Sequence, residues 1–457
     1  MSKTFIFNAR LVDEDTDSPG SILISEGKIE KIFLEECTTL EKAKKLSSAE
    51  NYIDAKELTL TPAFIDMHVH LRYPGQTQKE DLNSGLHAAA AGGFGTVIAM
   101  PNTNPVVSSI NMALQNEKEA DEIGLTKLYQ VVSITKDFDG KTTSHLESIS
   151  KEFVPVISED GKDVLSPEIM REGMKIAAKK NIVVSCHCED PELAVKAKPF
   201  RMEVLKIMKE NNISASDYSP LQNVDSSIIS QIDSNLTKAN EILAVAEDTF
   251  TKRNIELAKE AGCHIHLAHV STKKSMDYIR EAKQSGMKKI SCEVTPHHLG
   301  LSGNTEPNIR ALVNPPLRFE EDRLALIEAL RDGTADVIST DHAPHTAEDK
   351  ASGSPGFTGI EASYGVCHTV LVKENNFSEN KLSQLMSANP ARILGLNKGR
   401  LKEGYDADLT FVNPDESWIV DSTNFFSKGK ATPFCGKTLT GKVKALFLKN
   451  KIVWGKL

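Results

Sequence analysis

The chain has 457 residues, of which 40% are hydrophobic, and a formal net charge of −9 at pH 7. This hydrophobic content is enough for a large buried core, while the acidic balance excludes a nucleic-acid-binding surface, which requires a clustered basic patch. The chain has no run of 18 or more apolar residues, so a transmembrane helix is not expected, and its first residues lack the apolar region of a signal peptide.

The seven cysteines form no Cys-x-x-Cys pair, and their number is odd. This usage is typical of reduced thiols and not of a disulfide framework, so we expect a cytoplasmic protein. Cys186 and Cys188 flank His187. We interpret both cysteines as small buried apolar residues and not as metal ligands.

Short alternating segments at both ends of the chain predict β-strands. Residues 4–33 alternate around an Asp-Ser-Pro-Gly turn, and residues 404–457 contain three further segments of this kind. Neither end has enough strands to close a core alone. We therefore predict one small β-sandwich built from residues 1–58 and 397–457, beside a central domain of residues 59–396.

An apolar run near the start of the central domain, residues 61–70, ends in Asp-Met-His-Val-His. Side chains alternate between the two faces of a strand, so every second residue of this run should share a face. The expected faces are Phe64, Asp66, His68 and His70 on one side and Ala63, Ile65, Met67 and Val69 on the other. Two imidazoles side by side offer a divalent metal half of its coordination shell. A surface or core role remains the alternative for an isolated His-x-His.

Four further apolar runs end in a residue that can bind a metal: Asp160, His187, His269 and Asp341. Each run is interpreted as a strand whose last residue shares a face with the alternate residues behind it. The alternate residues are Val156 and Ser158 before Asp160, Val183 and Ser185 before His187, Ile265 and Leu267 before His269, and Val337 and Ser339 before Asp341. This phase places His264 and His266 on the opposite face of their strand, towards the helices.

With the first run, these segments give five strand ends that carry candidate ligands. Parallel strands whose C-terminal ends share one mouth are the way in which a (β/α)8 barrel builds its active site. Amphipathic helical segments lie between the strand runs, for example residues 81–91 and residues 322–331, the second with Leu324, Ile327 and Leu330 on one stripe. We therefore predict the α/β class, a (β/α)8 barrel with the small β-sandwich beside it.

One stretch of the central domain, residues 199–246, is polar and rich in Ser and Asn. Its Met-Glu-Val-Leu-Lys-Ile-Met segment predicts a short helix on a surface insertion. A structural, an oligomeric and a lid role all remain open for this stretch.

The strand ends offer six candidate metal ligands: His68, His70, Asp160, His187, His269 and Asp341. Six are too many for one tetrahedral ion, which indicates two divalent ions bridged by a carboxylate. Asp160 is the preferred bridge over its neighbour Glu159 because Asp160 keeps the strand phase of Val156 and Ser158. Zinc is the expected metal, and manganese and cobalt remain alternatives because His and Asp ligands accept all three.

Two signatures in the chain resemble those of dihydroorotases, which are cyclic amidohydrolases. They are Asp66-x-His68-x-His70-Leu-Arg72-x-Pro74 and Thr340-Asp341-His-Ala-Pro-His345, the latter followed by Lys350. Segments similar to the same enzymes lie between them, in the same order: residues 99–105, 158–161, 187–190, 269–273, 293–298 and 314–318. The resemblance covers nearly the whole chain and points to the longer, bacterial-type (class I) dihydroorotases.

The resemblance implies an assignment of the ligands and a reaction. His68, His70 and Asp341 would bind the first metal, His187 and His269 the second, and Asp160 would bridge the two. The implied activity is the reversible cyclisation of N-carbamoyl-L-aspartate to L-dihydroorotate and water in pyrimidine (UMP) biosynthesis. The metals would generate a nucleophilic hydroxide, and Asp341 would also carry the proton between that oxygen and the amide nitrogen.

The substrate carries a carboxylate, which requires a cationic partner. Arg72 offers a planar fork suited to this group, and a surface salt bridge is the alternative for it. The resemblance adds Asn102 and His345 as companions of Arg72 and implies that Asn314 contacts the ring.

Two other functions are weighed against this one. Hydrolases of dihydropyrimidine, hydantoin or allantoin are related, but they use a carboxylated lysine as the bridge. The aspartate at the bridging position and the presence of Arg72 disfavour this alternative. Some dihydroorotase-like chains have lost ligands and only scaffold aspartate transcarbamoylase, and the complete ligand set disfavours this alternative. We expect a homo-oligomer, a dimer, with aspartate transcarbamoylase as a candidate protein partner.

Overall fold

The structure is a computed structural model and describes residues 3–221, 224–303 and 311–457. The strands of these ranges are β1 (Thr4–Val12), β2 (Asp17–Ser25), β3 (Lys28–Phe33), β4 (Asn51–Asp54), β5 (Thr59–Pro62), β6 (Phe64–Val69), β7 (Phe94–Ala99), β8 (Lys127–Gln130), β9 (Val132–Ser133), β10 (Val156–Ser158), β11 (Val183–Cys186), β12 (His264–Leu267), β13 (Ile290–Val294), β14 (Val337–Ile338), β15 (Leu409–Ile419), β16 (Thr438–Leu448) and β17 (Lys451–Gly455).

The α-helices of the same ranges are α1 (Leu40–Leu46), α2 (Leu82–Ala91), α3 (Ile110–Ile123), α4 (Pro167–Lys180), α5 (Pro191–Glu210), α6 (Ser226–Ala261), α7 (Lys273–Gln284), α8 (Pro296–Gly300), α9 (Glu320–Asp332), α10 (Ala347–Ala351), α11 (Ser363–Cys367), α12 (Glu379–Ser383) and α13 (Asn389–Leu394). Shorter helical turns lie at Lys136–Phe138, Ser144–Ser148, Ile360–Ala362, His368–Glu374, Gln384–Ala388 and Ser422–Asn424. None of the described helices combines the length and apolarity needed to cross a bilayer.

The central strands form the predicted parallel barrel. Strands β6, β7 and β8 pair in one parallel sheet, and β9 to β14 pair in chain order in a second. Strands β8 and β9 are two parts of one barrel strand, separated by Val131. A parallel bridge between Val69, at the end of β6, and His342, beyond β14, brings the last strand beside the first. Eight strand positions therefore complete the barrel.

The predicted strand phase is confirmed for three of the ligand-bearing strands. Val156, Val183 and Val337 pack together in one buried cluster with Ile65 and Met67. These valines lie on alternate positions behind Asp160, His187 and Asp341, so the three ligand side chains follow the apolar interior of the barrel to its C-terminal mouth.

The predicted phase of β12 is wrong. In the register of the sheet, His266 pairs with Ser185 of β11, and Leu267 pairs with Cys186. His266 therefore shares the inner face with Ser185, while Ile265 and Leu267 pack in the core between strands and helices. His269 lies beyond the end of β12 and has a left-handed φ of 32°. The alternation of side chains along the strand therefore does not extend to His269.

The predicted phase of β6 is also wrong in part. The pairing of β6 with β7 shifts register between Phe64 and Ile65 and again between Asp66 and Val69. Phe64 consequently packs among the helices, with its ring stacked on Tyr364, whereas Ile65 and Met67 join the interior cluster. Such irregularities redirect side chains at the mouths of barrels.

Strands from both ends of the chain form one eight-stranded sheet, in the order β17-β16-β15-β5-β1-β2-β3 with β4 beside β1. Ile6 and Ile22 from the N-terminal strands pack in one buried cluster with Phe411 and Phe447 from the C-terminal strands. The two ends were predicted to build one small β-sandwich; they do come together in one small β domain, in which the strands pair as one continuous sheet. The predicted domain boundaries stay a prediction, and β5 (Thr59–Pro62) pairs within this sheet.

The stretch at residues 199–246 lies mainly in two long helices, α5 and α6, and not in a surface insertion with one short helix. Residues spaced at helical intervals join the two helices in a buried cluster: Val204, Ile207, Met208, Ile232 and Leu236. Leu312, from the segment that precedes Asn314, packs in the same cluster. The hairpin of α5 and α6 is therefore part of the wall that surrounds the barrel mouth.

The two helices that the sequence predicted between strand runs are present. Helix α2 begins after Asp81, whose side chain accepts a hydrogen bond from the Ser84 backbone N–H. Helix α9 buries Ile327 and Leu330 as predicted, but Leu324 is 48% exposed and does not belong to the buried stripe.

Candidate active site

Two groups of three buried side chains meet at the C-terminal mouth of the barrel. One contains His68, His70 and Asp160, and the other contains Asp160, His187 and His269, with the ligand atoms of each group within 4.8 Å of one another. Asp160 belongs to both groups. This is the arrangement required of a carboxylate that bridges two metal ions.

The distances to Asp160 are consistent with this arrangement. Asp160 Oδ1 lies 3.4 Å from His68 Nε2, 3.5 Å from His187 Nδ1 and 3.8 Å from His269 Nε2. Asp160 Oδ2 lies 3.6 Å from His70 Nε2. The competing carboxylate, Glu159, instead accepts a hydrogen bond of 2.8 Å from the Thr135 backbone N–H, so it is directed away from the imidazoles.

The residues present fit a divalent metal. His68 Nε2 and Asp160 Oδ1 are both buried, and neither has a hydrogen-bond partner among the described residues. Burying two unsatisfied polar atoms costs about 1–3 kcal/mol each. A cation held between them would satisfy both, and imidazole and carboxylate are common ligands of such ions.

The charges at this point also favour a cation. Burial opposes ionisation of Asp160, but the charge of His68 and the nearby imidazoles of His187 and His269 outweigh it and hold the pKa of Asp160 well below its usual range. Burial likewise opposes the charged form of His187, yet Asp160 and the nearby Asp163 raise its pKa to about 10. The carboxylates therefore stabilise positive charge at the position that metal ions would occupy.

Asp341 lies beside the first group. Its Oδ1 is 3.1 Å from His70 Nε2 and 3.7 Å from His68 Nε2. Burial disfavours its charged form, but the hydrogen bond with His70 and the charge of His68 outweigh burial and hold the pKa of Asp341 below its ordinary value. Asp341 is thus an ionised carboxylate that can serve as a ligand or accept a proton.

Glu293 supports the candidate metal ligands and was not recognised from the sequence as a functional residue. Its Oε1 lies 3.0 Å from His68 Nδ1 and accepts a 3.2 Å hydrogen bond from the His269 backbone N–H. Its Oε2 lies 3.0 Å from His266 Nε2. A carboxylate on the second ring nitrogen fixes the tautomer of a ligand histidine and raises its basicity. A signal that could have indicated this role is the presence of an acidic residue within the strand Ile290–Val294, which is buried at every position.

We expect Glu293→Gln to weaken metal binding by about 10- to 100-fold, because a neutral amide no longer increases the basicity of His68. The metal content of the variant should be measured by elemental analysis after dialysis against graded chelator. Glu117→Gln is the matched control, since Glu117 is buried against the Gln130 backbone N–H outside the site. Equal metal retention by wild type and Glu293→Gln would contradict this role of Glu293.

Asp66 joins two of the ligand-bearing strands. It accepts hydrogen bonds of 3.1 Å from the His68 backbone N–H and of 3.0 Å and 2.5 Å from the backbone N–H and hydroxyl of Thr340. Thr340 precedes Asp341 directly, so this contact fixes His68 relative to Asp341. Asp66 therefore has a positioning role, although the sequence placed it on the same strand face as the ligands.

A cavity of about 220 Å³ opens beside the candidate metal ligands. It is lined by all of the sequence-predicted site residues except the fully buried His68, namely His70, Arg72, Asn102, Asp160, His187, His269, Asn314, Asp341 and His345. The structure therefore brings every sequence-predicted site residue to one place.

Arg72 is buried in the wall of this cavity and not on the surface. Its Nε donates to the Pro344 carbonyl at 3.2 Å, and its Nη2 lies 3.0 Å from His345 Nε2. Burial lowers the pKa of Arg72 to about 10, which leaves the guanidinium charged at neutral pH. Burial and the charge of Arg72 lower the pKa of His345 to about 2, so His345 is neutral. Its Nε2 also lies 2.9 Å from the Pro355 carbonyl.

Asn102 contacts the candidate ligands directly. Its Oδ1 lies 3.0 Å from His70 Nδ1, and its Nδ2 donates to Asp160 Oδ2 at 3.0 Å. These bonds orient a ligand from each of two strands. One N–H of the carboxamide remains for another partner, and the predicted contact of Asn102 with substrate stays a prediction. Asn314 accepts a 2.5 Å hydrogen bond at Oδ1 from Arg201.

The neighbouring cysteines are buried and free. The thiol of Cys188 lies 3.7 Å from the Cys186 carbonyl and accepts from the Asn254 carboxamide at 3.6 Å. Neither belongs to a group of candidate metal ligands in the described ranges. The interpretation of both as small buried residues is confirmed.

A parallel barrel that presents His and Asp ligands to a cavity is characteristic of metal-dependent amidohydrolases. The sequence model of the Amidohydrolase family matches residues 221–453, and that of the Dihydro-orotase-like family matches residues 58–203. The chain is 40% identical over 452 residues to a dihydroorotase from Clostridium botulinum, covering 99% of both chains. It is 36% identical over 464 residues to a dihydroorotase from Aquifex aeolicus, covering 99% of this chain and 100% of the relative. The chain belongs to the dihydroorotase family.

Solved structures share the fold at lower identity. An L-hydantoinase (dihydropyrimidinase) from Arthrobacter aurescens superimposes with a TM-score of 0.80 at 24% identity, covering 100% of this chain and 97% of that one. A dihydropyrimidinase from Brevibacillus agri gives a TM-score of 0.77 at 20% identity, covering 99% and 95%. These likenesses confirm the barrel with its small second domain.

Proposed function

We propose that this chain catalyses the reversible cyclisation of N-carbamoyl-L-aspartate to L-dihydroorotate and water. The observation that carries the proposal is Asp160, which lies between two groups of imidazoles at the edge of a cavity that also contains the buried cation Arg72. An aspartate bridge matches the class I dihydroorotases, and the guanidinium matches the carboxylate of their substrate.

Two divalent ions, zinc being the expected metal, would be held by His68, His70 and Asp341 on one side and by His187 and His269 on the other, with Asp160 shared. Such ions supply an activated water and polarise the amide carbonyl. The remaining work falls to the residues of the chain, which bind and orient the substrate and move the proton.

Asp341 is the proton carrier of this mechanism. In ring opening, its carboxylate accepts a proton from the attacking oxygen and delivers it to the amide nitrogen that leaves. In ring closure, the same carboxylate takes the proton from the ureido nitrogen and returns it to the departing oxygen. The carboxylate begins both directions ionised, in agreement with its lowered pKa.

Arg72 holds the substrate carboxylate, with Asn102 and His345 beside it. We expect Arg72→Met to raise KM in both directions while metal content stays intact, because each lost charged hydrogen bond costs roughly 1.5–3 kcal/mol. Steady-state kinetics with L-dihydroorotate and N-carbamoyl-L-aspartate measure the change. Arg171→Met removes a partly exposed guanidinium that pairs with Glu260 outside the site and is the control. An unchanged KM in Arg72→Met would place the carboxylate elsewhere.

The two other functions are less well supported. Lys162, which follows the Asp160-Gly161 turn, donates its Nζ to the Phe138 carbonyl at 2.7 Å and is not directed at the imidazoles, so it does not offer the carboxylated lysine of the hydantoin and dihydropyrimidine hydrolases. The scaffold-only alternative is disfavoured because all six candidate ligands are present and converge. A cytoplasmic homodimer, with aspartate transcarbamoylase as a candidate partner, remains part of the proposal.

The substrate class can be tested with metal-replete protein. Ring closure of N-carbamoyl-L-aspartate should proceed at rates well above those of dihydrouracil, hydantoin or allantoin hydrolysis measured beside it. A preference for one of these three rings, which lack the carboxylate of dihydroorotate, would contradict the proposal.

A further inference from the structure

One arginine of helix α5, Arg201, reaches the wall of the substrate cavity. Arg201 Nη1 donates to the side-chain oxygen of Asn314 at 2.5 Å, and Arg201 Nη2 donates to the Val313 carbonyl at 3.0 Å. Both acceptors lie in the segment that brings Asn314 to the cavity. One guanidinium therefore fixes a side chain and the backbone next to it.

This contact determines how the Asn314 carboxamide is oriented. A guanidinium has five N–H donors and no acceptor, so only the oxygen of the carboxamide can face it. The NH₂ group of Asn314 is then the part that can be offered to a molecule in the cavity. An N–H donor at this position suits a carbonyl oxygen of the substrate ring, and a carboxamide turned by 180° would present the wrong group.

Other residues fix the backbone of the same segment but not this side chain. Lys350 Nζ donates to the Leu312 carbonyl at 2.9 Å, and His298 Nε2 lies 3.1 Å from the Pro316 carbonyl. Within the described ranges, Arg201 alone hydrogen-bonds the Asn314 carboxamide. The orientation of that carboxamide thus depends on α5.

The packing of α5 keeps Arg201 at this distance. Leu312 lies in one buried cluster with Val204, Leu205 and Met208 of α5. The helix and the cavity wall are therefore held together by apolar burial as well as by the guanidinium. This arrangement assigns a structural task to the stretch at residues 199–246 whose role the sequence left open.

We propose that Arg201 is a positioning residue that orients the Asn314 carboxamide so that its NH₂ group donates to a carbonyl oxygen of the dihydroorotate ring. This role rests on the proposed function. Arg201 itself touches neither the metal ligands nor the reacting atoms, so its loss affects substrate binding and leaves the metal site in place.

The test is a double-mutant cycle between Arg201 and Asn314 in the metal-replete protein. Arg201→Met should lower kcat/KM by about tenfold, mainly through KM, as expected for one lost charged contact. Adding Arg201→Met to Asn314→Ala should cause almost no further loss, because the carboxamide that Arg201 orients is then absent. Lys206→Met is the control, since Lys206 is on the same helix and pairs with Glu203 at the surface.

A second variant covers the case in which Arg201→Met does not fold. Arg201→Lys retains a charged donor and should recover part of the lost KM when Asn314 is present, but nothing in the Asn314→Ala background. Additive losses in either cycle, or a wild-type KM in the folded Arg201 variants, would overturn the role of Arg201. Inactivity of the wild-type protein towards N-carbamoyl-L-aspartate would instead contradict the proposed function.

Discussion

Asp341→Asn is expected to lower kcat by about 10²- to 10⁴-fold while most of the bound metal is retained, since this is the range that general acid–base catalysis contributes. The asparagine keeps an oxygen near His70, where Asp341 Oδ1 lies at 3.1 Å, but it cannot take up a proton. Turnover in both directions and metal content by elemental analysis should be measured on the same preparations.

The pH profile gives an independent check of this variant. In the wild type, activity should fall as the pH decreases through the pKa of the essential base, and interaction with His70 and His68 holds the pKa of Asp341 below its ordinary value. The variant should lose this acidic limb. Turnover within a few-fold of the wild type, with both metals bound, would show that the proton travels by another route, for which His345 or solvent are the next candidates.

Asp160→Ala is expected to lose most of both metal ions and nearly all activity, because its two oxygens face imidazoles of both groups. Loss of the shared ligand therefore weakens the two sites together. Elemental analysis and steady-state kinetics measure the effect. Glu159→Gln is the matched control, as Glu159 is the adjacent carboxylate but is hydrogen-bonded to Thr135, and it should retain both ions. One tightly held ion that persists in Asp160→Ala would exclude the bridged pair.

The sequence predicted the position of the candidate ligands because parallel strands end at one face of a barrel. Alternation was sufficient for Asp160 and His187, which have valines at the inner positions behind them. It also predicted the position of Asp341, although Asp341 itself has a left-handed φ of 47°. It failed for Phe64 and for the strand that precedes His269. Register shifts in β6 turn the side chain of Phe64 to the opposite face of the sheet. Because His269 has a left-handed φ, its side chain does not follow the alternation of the strand before it.

Glu293 and Arg201 could not be assigned in the same way, because their roles depend on contacts between distant segments. Glu293 meets His68 across 225 residues of sequence, and Arg201 meets Asn314 across 113 residues. Periodicity describes which face of its own element a residue occupies, but not which residue of another element lies opposite.

The helical hairpin of α5 and α6 is a different case, since its signal was present in the sequence. Ile232, Leu236, Ala239 and Leu243 follow one another at intervals of three or four residues, and all four are buried. This is the spacing of one helix face. Between them, Ser234 is exposed and Asn235 and Asn240 are half-buried, and these polar residues made the stretch resemble a polar insertion.

We propose that two metal ions, held through the shared ligand Asp160, make this cavity competent to close the dihydroorotate ring. The most direct measurement is ring closure of N-carbamoyl-L-aspartate by metal-free protein during titration with zinc, with bound metal determined at each point. Activity should be absent at the start and should reach its plateau at two ions per chain. Full activity without metal, or no ring closure with two ions bound, would contradict the account.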